Sequence, residues 1–164
     1  MTFERVIDYL GIWSAIGFVV FSAYVVIVFR TGIVYTSRTE KGTLKERIPL
    51  SGYLNMVIFL LGIVGFQIVA NYFGLAREEL EVTFLSLFLL NFGHYLILFL
   101  FDTAVIDGLV LSVWRPRFLQ LPGAIGRESM KKHILLSIPI GMLAGIGLTA
   151  VSTALSYFTL FGGS

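Results

Sequence analysis

Residues Thr83 to Trp114 read TFLSLFLLNFGHYLILFLFDTAVIDGLVLSVW. A hydrocarbon layer of about 30 Å is crossed by about 20 residues of α-helix, and this stretch spans about 47 Å if straight. No charged side chain interrupts it before Asp102. It shows none of the period-two alternation that a lumen-facing barrel strand needs. A helix this long has to tilt, kink or project beyond the bilayer.

Working outward, three more windows meet the same demand: Tyr9 to Phe29, Tyr53 to Phe73 and Ile134 to Phe158. The reading is therefore an all-α polytopic membrane protein, a four-transmembrane-helix bundle forming one membrane domain over residues 1–164. Its helices fall at about 9–29, 53–73, 83–114 and 134–158. Composition agrees. The chain is 57% hydrophobic and 13% charged, where soluble domains run to about 45–50% and about 25%. Its length alone would allow a soluble core, but the long apolar runs exclude one.

The first window is flanked by Glu4, Arg5 and Asp8, exceeds a signal h-region and lacks an A-x-A cleavage site, so it reads as a retained helix. Cysteine is absent, which excludes disulfides, thiol catalysis, CxxCH haem attachment and cysteine-ligated iron–sulfur clusters.

Of the twelve basic residues, ten fall on the two connections that four helices must place on one side. Loop 30–52 holds Arg30, Arg38, Lys41, Lys45 and Arg47; loop 115–133 holds Arg115, Arg117, Arg127, Lys131 and Lys132. The connection between helices two and three has Arg77 among Glu78, Glu79 and Glu81. Enrichment of Lys and Arg on the cytoplasmic side predicts cytoplasmic loops 30–52 and 115–133, with both termini outside. Arg115, Arg117, Arg127, Lys131 and Lys132 are then candidates for lipid-headgroup or phosphate contact, and membrane lipid, not nucleic acid, is the expected partner.

The third helix carries the candidate chemistry. At 100° per residue, Asn91 and Asp102 point within about 20° of each other, Tyr95 about 20° further round and His94 about 60° to the other side. Asn91, His94, Tyr95 and Asp102 thus form a polar intramembrane stripe, while Asp107, at the inner edge, faces about 140° away from Asp102. A charge in hydrocarbon costs several kcal/mol, so the stripe should face protein or water. It reads either as interhelical hydrogen bonds, with the aspartates paired to intracellular arginines, or as a proton or cation path or small polar-ligand pocket. Helix four presents Ser137, Gly141, Gly145 and Ser152 as low surfaces for close packing, Gly141, Gly145 and Ser152 being the candidate contact positions. Tyr9 and Trp13 are expected in the outer headgroup zone.

Bis-histidine haem fails, because His94 lies near the midplane and His133 at the cytoplasmic rim, about 15 Å apart in depth. A hard-metal site on His94, Asp102 and Asp107 fails on angular spread. HExxH, Walker, Rossmann and GxSxG patterns are missing. No metal or cofactor is expected, and catalytic residues stay unassigned.

The segment Phe101-Asp102-Thr103-Ala104-Val105-Ile106-Asp107, followed by Trp114-Arg115-Pro116-Arg117-Phe118 and Leu121-Pro122-Gly123, resembles a pattern in small uncharacterised prokaryotic four-helix membrane proteins. The resemblance implies a prokaryotic cytoplasmic membrane and no particular activity. Helix count and outside termini are also similar to the membrane-associated eicosanoid and glutathione metabolism proteins. That family's Glu-Arg…Asn…Glu set on helix two is missing, since Gln67 and Asn71 stand there without charged companions.

Three functional expectations follow. The first is a non-catalytic membrane protein acting in a homo-oligomer or as a small subunit of a complex. The second is a proton or cation transporter component using the stripe, and the third an inner-leaflet lipid or small-molecule enzyme.

Overall fold

The structure, a computed structural model, describes residues 2–31, 50–78, 82–114, 116–119 and 127–162. All regular structure among them is helical. Helix α1 is Phe3–Thr31 and α2 is Leu50–Gly74. Helix α3, Phe84–Phe101, runs on as a π-helical stretch over Asp102–Trp114, and α4, Arg127–Ser156, ends in a π-helical turn over Tyr157–Phe161. Short 3₁₀ turns occur at Ala76–Glu78 and Arg117–Leu119. Four segments are long and apolar enough to cross a membrane: Phe3–Val28, Tyr53–Gly74, Phe84–Leu111 and Ile138–Phe161. The chain is a multi-pass membrane protein.

The helices outrun their apolar windows. Helix α1 starts at Phe3 rather than Tyr9, and α4 at Arg127 rather than Ile134. Hydropathy marks only the part of a helix that sits in hydrocarbon, whereas backbone bonding continues through solvated charged residues. Glu4 in the first turn of α1 and Arg30 in its last have the signs that favour the helix dipole.

Helix α3 has a defined start. Thr83 is its N-cap: the Ser86 backbone N–H donates to Thr83 Oγ1 at 3.2 Å, and the Thr83 N–H donates to Ser86 Oγ at 3.0 Å. This reciprocal pair satisfies two amides that the first turn leaves open. Thr83→Ala is expected to cost about 1 kcal/mol, seen as a lower thermal midpoint in mild detergent; an unchanged midpoint would mean that the cap contributes nothing.

Beyond Phe101 the winding loosens, and the faces of the helix shift with it. Ile106 and Leu111, five residues apart, are both buried in one cluster with Leu119, against Phe21, Val25 and Phe101. Bonding from i to i+5 keeps such positions on one side. Asp102 and Asp107 share that spacing, so the 140° separation expected from α-helical periodicity does not hold, because the period changes at Asp102 itself. After Trp114 the chain turns through Pro116, whose carbonyl accepts from the Leu119 N–H at 3.1 Å. Leu119 is buried against α1, while Phe118 stays exposed.

Helix α3 packs against both α1 and α4, α4 also packs against α2, and α1 meets α2 more sparsely. The α3–α4 seam joins rings to holes. Phe88, Phe92, Tyr95 and Phe99 stack nearly parallel along α3. Opposite them, a Cβ on Gly145 would overlap the Tyr95 ring, and one on Gly141 the Phe99 ring. The outward faces, with Ile12, Val19, Leu61, Leu85, Leu100 and Leu143, are exposed and apolar, as a lipid-facing surface must be.

Candidate functional site

The interior divides into two halves of different chemistry. At the end that carries both termini, all four helices contribute to a buried polar clasp. Tyr9 Oη donates to Asn71 Oδ1 at 2.7 Å, and Asn71 Nδ2 donates to Ser156 Oγ at 2.9 Å. Asn91 Nδ2 donates to Thr153 Oγ1 at 3.1 Å, and Gln67 Nε2 donates to the Asn91 carbonyl at 2.9 Å. Ser152 Oγ donates to Gln67 Oε1. Gln67, Asn71, Asn91, Ser152, Thr153 and Ser156 are each fully or almost fully buried. Buried in this way, each of these amides and hydroxyls is stabilised by a partner on another helix, so the bonds set which faces meet.

Sequence reasoning missed most of this clasp. Tyr9 is not in a headgroup belt; it is 4% exposed and points inward, because its hydroxyl finds Asn71. Gln67 and Asn71, which lack charged companions, are bonded instead to hydroxyls of α4. The signal that marks them is the spacing of Thr149, Ser152, Thr153 and Ser156, which places four hydroxyls on one helical face.

His94 lies next to the clasp but outside its bonding. It is fully buried, with the Tyr9 ring edge-on at 6.1 Å and the Phe66 ring at 5.6 Å between centroids. The Trp13 backbone carbonyl faces it, yet neither ring nitrogen meets hydrogen-bond geometry with any described residue. Ser14 Oγ and Thr149 Oγ1 are likewise buried and unpartnered.

Toward the other end the helices part around a cavity of about 560 Å³. All four helices line it: Phe21 from α1, Phe59 and Ile63 from α2, Leu98, Phe99 and Asp102 from α3, and Ile140, Ala144 and Leu148 from α4, among others. Met56 and Ile140 belong to the wall and are also 50% and 67% exposed, so the wall reaches the apolar outer surface on α2 and α4. Among the described residues, Asp102 is the one carboxylate on the wall, and no lysine, arginine or histidine joins it. Tyr95 lines it too, but its hydroxyl is committed to the Gly141 carbonyl at 2.7 Å.

The polar stripe is thus shared between two places. Asn91 belongs to the clasp, His94 lies beside it, and Tyr95 and Asp102 face the cavity. Gly141 and Gly145 sit under the rings of α3, and Ser152 is bonded to Gln67. Arg117 is exposed on the 3₁₀ turn after α3. Arg115 and the side chains of Arg127, Lys131, Lys132 and His133 lie outside the described residues. Among the described residues no lysine or arginine forms an ion pair with Asp102.

Comparison with protein-family models, with curated proteins and with solved structures finds no match to this chain.

Proposed function

We propose that this protein is a non-catalytic binding protein that takes a lipid-soluble small molecule from the bilayer into the cavity between its helices. The observation that carries this reading is the cavity itself. Its volume of about 560 Å³ falls in the range of about 300–1,000 Å³ typical of small-molecule sites. Its wall is almost wholly apolar, and two of its residues, Met56 and Ile140, are also exposed on the apolar outer surface. A continuous proton path is less well supported, because Asn91 is tied into the clasp and Asp102 faces an apolar chamber.

The basic residues of loops 30–52 and 115–133 support an orientation with both termini outside and those loops in the cytoplasm. The cavity then lies in the inner-leaflet half. The resemblance of the α3 end to prokaryotic proteins supports a prokaryotic cytoplasmic membrane as the location.

A photoreactive alkyl alcohol dissolved in proteoliposomes tests the reading. Irradiation is expected to label wall residues that do not face outward, such as Ile63 and Leu98, and Ala144→Trp should abolish that labelling by filling the chamber. Labelling confined to outward positions such as Leu61 and Leu100 would reject it.

A further inference from the structure

Resting on the reading that the cavity binds a lipid-soluble molecule, we infer that the ligand carries a protonated amine on an apolar body and that Asp102 is its counter-charge. Three features of the cavity converge on this chemistry. Asp102 lies within the span Phe84–Leu111, on a wall otherwise made of apolar and aromatic side chains. An ionised carboxylate in such surroundings is costly unless a cation accompanies it, and an intramembrane acid is therefore matched to a partner.

The second feature is the aromatic content of the wall. Phe21, Phe59, Tyr95 and Phe99 surround the same space, and ring faces attract ammonium groups most strongly where water is excluded. Third, the chamber does not suit an inorganic cation. Such an ion needs several oxygen ligands or its water shell, and no cluster of three or more His, Asp or Glu side chains stands among the described residues. An amine whose body fills the apolar volume satisfies both the carboxylate and the hydrocarbon wall. A phospholipid amine is the poorer fit, because its phosphate would lie beside the Asp102 carboxylate.

The test compares three molecules with one body and different heads: phenylbutylamine, phenylbutanol and phenylbutyrate. Binding is measured by titration calorimetry on the full chain in nanodiscs, with empty nanodiscs subtracted to remove partitioning. The expected result is amine affinity about ten-fold or more above that of the alcohol, with the carboxylate weakest. Asp102→Asn should bring the amine down to the alcohol and leave the alcohol unchanged. Equal affinity for amine and alcohol on the unaltered protein overturns the inference without needing any variant, and leaves the cavity reading standing. Failure of all three to bind above empty discs removes the cavity reading and the inference together. Loss of amine binding in discs containing phosphatidylethanolamine would overturn the assignment to a free amine in favour of a lipid headgroup.

Discussion

Replacing Gly145 with leucine is expected to separate α3 from α4 and leave little folded protein in mild detergent. The cause is geometric. At Gly145 a single Cβ would already overlap the Tyr95 ring, with Cε1, Cδ1 and Cζ all within reach. That ring has little freedom to retreat. Its hydroxyl is bonded to the Gly141 carbonyl at 2.7 Å, and it stacks between Phe92 and Phe99 along α3. In lipid there is no hydrophobic drive to hold two helices together at a distance, so lost backbone approach is not compensated by other burial. Overpacking in cores typically costs about 1–3 kcal/mol, and here the displaced unit is a whole helix, so the upper end or beyond applies. Gly147 provides the control. Nothing lies within 4 Å of a Cβ built there, so Gly147→Ala should gain up to about 1 kcal/mol from helix propensity. Thermal midpoints from fluorescence-detected size exclusion would read both. A Gly145→Leu midpoint within a degree or two of the unaltered protein would contradict the packing described for this seam. Combining Gly145→Leu with Tyr95→Ala should recover part of the loss, since removing the ring opens the space that the leucine needs.

What could be read from the sequence follows the scale of each physical signal. Four helices were legible because hydrocarbon thickness is a coarse, additive constraint that runs of Phe, Leu, Ile and Val satisfy without regard to neighbours. Low surfaces at Gly141 and Gly145 were legible too, since small residues recurring at four-residue spacing mark one helix face. Which rings fill them was not, because that depends on the relative height of α3 and α4, and nothing in one strand of sequence encodes height between helices. The clasp was hidden for the same reason. Tyr9, Asn71, Asn91 and Ser156 lie far apart in the chain and become partners only when four helix ends come together. Asp107 was misplaced for a different reason. Its angle was counted with a constant period, and the backbone changes period at Asp102. The cavity was beyond reach altogether, since it is set by where helices part rather than by any residue they carry.

The clasp makes the second large prediction. Asn71→Leu is expected to destabilise the bundle by about 2–4 kcal/mol, from bonds lost and groups stranded. Asn71 accepts from Tyr9 Oη at 2.7 Å and donates to Ser156 Oγ at 2.9 Å, and it is fully buried. Interhelical bonds in membranes contribute only about 0.6–1.7 kcal/mol each, so their loss alone gives the lower part of the range. The remainder comes from the Tyr9 hydroxyl and Ser156 hydroxyl, which leucine leaves buried without that partner; each such group costs about 1–3 kcal/mol before relaxation. Thr149→Val separates this account from a general sensitivity of buried polar positions. Thr149 Oγ1 is equally buried but has no partner among the described residues, so an isosteric methyl removes an unsatisfied group and should be neutral or slightly stabilising. The same logic covers His94→Phe, whose nitrogens are unpartnered within a nest of the Tyr9 and Phe66 rings; its change should stay within about 1 kcal/mol. Reversible unfolding in mixed micelles, read by tryptophan fluorescence, orders the three. If Thr149→Val or His94→Phe were as damaging as Asn71→Leu, burial rather than bonding would govern this end of the bundle, and the clasp would lose its role in choosing which helix faces meet.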